Sequence, residues 1–170
     1  FDTRDAEQAR LTGGTTAVLS AQHSTLYGEI EAMFGLERAA QYLKANLAAV
    51  SKFRRLSKEI PCDFEDKPSY MYTRIDMAQL RRETETLRKL GFPAEYVTET
   101  PLPFPVGGAV KYPGMAQFHP LKFLYGAAKG LNVFEDSLVR GVEDGVATTD
   151  RGTIRARKII VAAHYPFLNH

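Results

Sequence analysis

The stretch from Asn132 to His164 constrains the fold most, because strand and turn signals follow one another through it without a break. Asp144-Gly145 is the dipeptide that a two-residue hairpin prefers, since its turn needs positive φ and glycine supplies this at no steric cost. Strands are therefore expected to meet there, and Asp150-Arg151-Gly152 signals a second turn before the run from Thr153 to Ala163. Within that run Lys158-Ile-Ile-Val-Ala-Ala163 is apolar and β-branched without alternation. Such a pattern suits a strand covered on both faces, in a parallel or mixed sheet flanked by helices.

Helices to flank it are legible upstream. Leu36, Ala40, Leu43, Leu47, Val50, Phe53 and Leu56 recur at three and four residues, the period of one helix face. Gly35 is expected to part this helix from an earlier one carrying Leu26, Ile30, Met33 and Phe34, and Pro61 to end it. Ser69 to Arg74 reads as a strand. Asp76 followed by Gln79 has capping-box spacing and Gly91 suits a C-terminal cap, so a helix is expected over Met77–Leu90. Three prolines, at 101, 103 and 105, bar a central strand between Glu95 and Val106. Gly107–Tyr112 and Met115–Phe118 read as short strands, and His119-Pro120 opens a helix that Gly130 stops. Near the start, Leu11-Thr-Gly-Gly-Thr-Thr16 reads as a glycine loop opening a helix over Ala17–His23, a loop whose backbone N–H groups could face an anion. The fold class expected from this order is α+β (mixed α/β), a mixed sheet with flanking helices.

Several classes of function are disfavoured by composition. At 170 residues, 44% apolar and 25% charged, the chain has ordinary globular proportions. A net charge of +2 with scattered lysines and arginines leaves no basic stripe for nucleic acid, and no apolar run is long enough to span a bilayer. One cysteine, Cys62, permits no internal disulfide, and four dispersed histidines show no zinc spacing, so no metal site is expected and a reducing, cytoplasmic setting is the default. Nucleophile-elbow and phosphate-lysine loop motifs are absent from the sequence. The chain opens at Phe1 in a polar segment and stops just after an apolar run, which reads as an internal piece of a longer protein.

A series of motifs in order carries a resemblance. Gly13-Gly-Thr-Thr16 with Ala21-Gln-His23, Cys62-Asp-Phe64 with Tyr70-Met-Tyr-Thr73, Leu102-Pro-Phe104, Ala116-Gln-Phe-His-Pro-Leu-Lys122, Val133 to Val139, and Ile159-Ile-Val-Ala-Ala-His-Tyr-Pro-Phe167 together resemble the middle of an FAD-dependent oxidoreductase of the D-amino acid oxidase-like family. The likeness is greatest to members with an appended Rieske domain, whose two Cys and two His ligands are not in this sequence. The resemblance implies a flavin held partly by an N-terminal Rossmann unit, whose Gly-x-Gly-x-x-Gly turn is also not in this sequence. It implies residues 1–24 as the flavin-proximal loop and helix, 25–130 as the substrate-binding region, and 131–170 as hairpin and terminal strand of the FAD-binding domain. By position it implies FAD contacts at Gly13, Gly14, Thr15, Thr16, His23, Val139, Ala162, Ala163 and His164, and a substrate region that takes in Gln117 and His119. The activity implied is oxidation of the C–N bond of a small amine or amino acid by hydride transfer to flavin. A non-catalytic interaction module that kept the fold is the alternative.

Individual residues also admit plainer readings. His23 suits a helix surface as well as a place beside the flavin, and His119 suits a helix cap as well as a substrate contact. Tyr70 and Tyr72 flank Met71 and so share a face of their strand, which fits core packing or a substrate-pocket wall. Cys62 reads as a small buried residue, and no residue is singled out as a catalytic base. Two further expectations concern the chain alone: that it does not bind FAD tightly, and that its apolar terminal strand is buried by homodimerisation or by repacking of the hairpin against it.

Overall fold

The computed structural model describes residues 14–162. Helices and sheets alternate as an α+β fold, in the order β1 (Val18–Leu19), α1 (Leu26–Phe34), α2 (Leu36–Leu56), β2 (Glu65–Asp66), β3 (Ser69–Thr73), α3 (Met77–Lys89), β4 (Glu95–Val97), β5 (Gly108–Tyr112), β6 (Ala116–Gln117), α4 (Pro120–Ala128), β7 (Val139–Glu143), β8 (Val146–Thr149) and β9 (Gly152–Arg155). The described residues divide into two compact units, one over Thr15–Ala127 and one that takes in Gly14 and residues 128–162. None of the described helices is long and apolar enough to cross a membrane.

In the larger unit the helix signals hold. Gly35, at φ +84°, supplies the left-handed residue that lets the chain leave α1 and start α2 at once. The face that α2 buries carries Ala39, Leu43 and Val50, so its first turn is rotated by one residue from the expected Ala40. At α3 the Asp76 carboxylate accepts from the Gln79 N–H at 3.0 Å, which satisfies one of the four orphan donors of that helix end. The other half of the box is not closed. The Gln79 amide instead donates to the Thr25 hydroxyl, tying α3 to the turn before α1.

All described strand pairs are antiparallel, in three sheets ordered β1-β6-β2, β3-β5-β4 and β7-β8-β9. The first two are successive lengths of one ribbon. Ser69 faces Tyr112, Lys67 N–H donates to Met115 O at 3.0 Å, and Asp66 faces Ala116, so pairing continues across the Pro113-Gly114 turn with one extra residue on that strand. Against this ribbon α3 lays Leu80 and Leu87, and the core closes with Tyr27, Leu43, Val50, Phe92, Val110, Tyr112 and Met115. The proline-rich segment leaves only β4 to pair, at the sheet edge, as three prolines require.

The smaller unit is built on the expected hairpin. Asp144 and Gly145 have φ of 46° and 75°, both positive as a I′ turn demands, and they join β7 to β8. The second turn then brings β9 back beside β8.

Two expected elements are replaced. Ala17–His23 is not a helix: β1 forms there instead, because pairing with β6 satisfies its backbone and a run this short cannot sustain a helix by itself. No strand forms over residues 158–162, and Ile160 stands 89% exposed. A β pattern becomes a strand only beside a partner, and no described strand pairs with these residues. Ala163 lies outside the described residues.

Candidate functional site

β1 is two residues long and pairs with β6, which carries Gln117. Val18 pairs with Gln117 and Leu19 with Ala116, and the Phe118 N–H donates to Ala17 O at 3.2 Å. Ala17 and Val18 therefore lie alongside Phe118 and Gln117, directly after Thr16 in the chain. Gln117 is fixed further by β2, donating from its amide to Glu65 Oε2 at 2.9 Å. Gly14, Thr15 and Thr16 are exposed on the approach to β1. Gly13 lies outside the described residues. The segment is held under strain, for Ala17 and Ser24 sit at φ 59° and 52°, a region that costs a residue with a Cβ about 1–2 kcal/mol. Non-glycine residues at such angles gather at functional sites.

Between those two strained residues lies His23, in the turn before α1 and not on a helix. Its Nδ1 is 2.9 Å from the Tyr42 hydroxyl of α2, and the two rings meet edge to face at 5.8 Å. Two residues earlier, Ala21 is fully buried and its carbonyl accepts from the Tyr27 hydroxyl at 2.6 Å.

His119 fulfils the cap reading: its Nδ1 accepts from the Lys122 N–H at 3.4 Å at the start of α4. Its own N–H donates to Cys62 O at 2.7 Å. Cys62 is buried as expected, and desolvation pushes its thiol up, away from thiolate chemistry. Beside it the Lys122 ammonium, 2.6 Å away, holds the Asp63 carboxyl below its ordinary range.

Tyr70 and Tyr72 do not pack in the core. Met71 takes the inner face, while Tyr72 is 45% exposed on the outer one. The alternation of β3 allows only one of the two sets inside, and the helices cover the Met71 side. Tyr70 shares the outer face with Lys111, which pairs with Glu95 at 2.9 Å. Tyr72 meets Phe104 at a ring separation of 5.8 Å, and the Arg74 guanidinium lies 4.9 Å from the same Phe104 ring. Phe104 in turn lines an open hollow of about 510 Å³ formed within residues 98–106. Sequence reasoning did not single out Phe104, Arg74 or Tyr42 as site residues. The signal for Phe104 was present, in a large aromatic set between two prolines where it can neither join a central strand nor lie within a helix.

In the smaller unit Val139 opens β7 opposite Thr149 and is half-buried, and Ala162 is exposed. His164, like Ala163, lies outside the described residues.

A family model described as DAO, FAD dependent oxidoreductase, matches residues 4–168. This chain belongs to that family. As a member of the FAD-dependent oxidoreductases, the chain is 31% identical over 169 residues to a Bacillus subtilis (strain 168) protein named as a Rieske 2Fe-2S iron-sulfur protein, YhfW, and the match takes in 92% of this chain. It spans only 33% of that relative. Among solved structures it is similar to glycine oxidase from Geobacillus kaustophilus, with a TM-score of 0.60 and 22% identity over 89% of this chain and 45% of that one. L-proline dehydrogenase from P. horikoshii matches at a TM-score of 0.55 and 20% identity, over 67% of this chain and 36% of that one. Both likenesses are of fold. They agree with the α+β order seen here, and FAD is the cofactor of the family to which the chain belongs.

Proposed function

We propose that this chain is the substrate-binding region, with part of the flavin site, of a longer FAD-dependent oxidoreductase that oxidises the C–N bond of a small amine or amino acid. The observation that carries this reading is the β1–β6 pairing, which sets Ala17–Val18, directly after Thr16, against Gln117–Phe118 in a chain matched to the family over residues 4–168. The donor set fits FAD in part. Backbone amides and hydroxyls at Gly14, Thr15 and Thr16, with the His23 ring close by in sequence, are neutral donors suited to the carbonyls and hydroxyls of a flavin, not to its pyrophosphate. Pyrophosphate binding in this family calls for a Gly-x-Gly-x-x-Gly turn between a strand and a helix N-terminus, and that motif does not occur in this sequence. Names of the structural relatives, an oxidase of glycine and a dehydrogenase of L-proline, support a substrate with an oxidisable C–N bond.

When bound, FAD supplies the hydride acceptor. The residues of this chain bind, orient and desolvate the substrate. Tyr70, Tyr72 and Phe104 form the apolar wall, and Gln117, held by Glu65, presents a fixed amide on β6. Val139 and the segment at Ala162–His164 would belong to the flavin side. The name of the Bacillus relative supports an iron-sulfur domain elsewhere in the protein as electron acceptor.

Anaerobic mixing of the flavin-loaded full-length protein with a panel of small amines and amino acids tests the proposal. Bleaching of the flavin absorbance by at least one of them is expected. A protein that holds FAD but is reduced by dithionite alone, and by no amine or amino acid, would support the non-catalytic alternative instead.

A further inference from the structure

Tyr42 lies in the middle of α2, apart from the residues assigned above to flavin or substrate, yet its hydroxyl ends at His23 Nδ1. The surrounding bonds leave His23 little freedom. Ala21 is pinned by the Tyr27 hydroxyl on its carbonyl and by its own N–H on Met115 Sδ at 3.1 Å, and the His23 carbonyl accepts from the Leu26 N–H at 3.3 Å. Tyr42 is itself braced edge to face on buried Tyr27 at 5.6 Å. Positive φ at Ala17 and Ser24 brackets the whole segment. This is more restraint than an exposed histidine needs to be soluble.

We propose that Tyr42 is a positioning residue that sets the tautomer and direction of His23. A phenol is a stronger donor than acceptor and a neutral imidazole nitrogen is a good acceptor, so the Tyr42 O–H donates to Nδ1. The ring proton then resides on Nε2, the nitrogen on the far edge from Tyr42, which has no hydrogen-bond partner among the described residues. His23 thus presents an N–H donor of fixed direction to an acceptor outside this unit. Resting on the reading under "Proposed function", that acceptor is a carbonyl of the flavin ring.

The test uses the full-length protein with FAD and compares wild type with Tyr42→Phe, His23→Ala and the double variant. Phenylalanine keeps the ring contacts with Tyr27 and His23 and removes only the hydroxyl. Nitrogen-15 spectra of the histidine rings, with the His23 signals assigned by their loss in His23→Ala, are expected to show Nε2–H alone in wild type and a tautomer mixture in Tyr42→Phe. An unchanged His23 tautomer in Tyr42→Phe would overturn the positioning role. FAD affinity should fall by about threefold to tenfold in Tyr42→Phe, the size of one hydrogen bond, and the double variant should be no weaker than His23→Ala. Additive losses would also overturn the role, because Tyr42 would then act by a route other than His23. A tautomer shift with FAD affinity unchanged in all three variants would uphold the positioning role and overturn instead the placement of His23 at the flavin.

Discussion

Glu83 is fully buried on α3, and its carboxylate accepts from the Gly28 N–H at 2.7 Å, the Tyr27 N–H at 3.3 Å and the Tyr112 hydroxyl at 3.0 Å. It caps α1 from another element, so one side chain joins α1, α3 and β5. Glu83→Ala would strand three buried donors, and we expect a loss of about 3 kcal/mol or more, read by urea unfolding. Burial pushes the carboxyl up, and the three hydrogen bonds offset this only in part. Because the folded value is raised, the stability tied to protonated Glu83 is complete below the unfolded value and is lost as pH rises through the folded one. Wild type should therefore lose stability over that interval relative to Glu83→Gln; parallel pH profiles for the two would contradict it. Tyr72 is exposed beside Phe104 and not packed in the core, and it is part of the substrate wall proposed above. Tyr72→Ala should raise KM for the amine substrate severalfold while unfolding stability stays within about 0.5 kcal/mol, and a large stability loss without a change in KM would return it to a structural role.

At the scale of elements, what was legible in the sequence is what local rules determine. Asp144-Gly145 makes its hairpin, Asp76 caps α3 and Gly35 divides two helices because each depends on neighbours within a few positions. β1 was not legible, since Val18-Leu19 becomes a strand only through residues 116 and 117, far along the chain, and locally Ala-Val-Leu-Ser-Ala favours helix. For the same reason the meeting of Val18 with Gln117 could not be read from spacing. The outward face of Tyr72 was equally hidden, because alternation fixes which residues share a face but not which face meets the helices. Substituting Gly145 tests the hairpin: at φ +75°, with a Cβ only 2.9 Å from Ala156 O, alanine there should cost about 1 kcal/mol or more. Amide exchange in β7 and β8 should speed up accordingly while α3 is unaffected. Exposed Ile160 and Val161 motivate a second prediction at this scale. If the apolar run draws two copies of the 170-residue chain together, Ile160→Lys should shift sedimentation toward monomer, whereas a wild type monomeric at every concentration removes the dimer route.

At the scale of the whole molecule, the chain covers a third of its Bacillus relative and less than half of either structural relative described above. Its membership of the family rests on nearly its full length, but the flavin- and substrate-binding equipment proposed within it is one-sided. Neutral donors before β1 and a tyrosine-phenylalanine wall are present, while no Gly-x-Gly-x-x-Gly turn occurs anywhere in its sequence. That division of labour is the central claim, and titration with FAD followed by flavin fluorescence tests it most directly, with the 170-residue chain and the full-length protein side by side. The full-length protein should bind tightly and the chain alone only weakly, above the low micromolar range. Binding by the chain alone in the low micromolar range or tighter would contradict the claim, because pyrophosphate recognition would then have to lie within these residues.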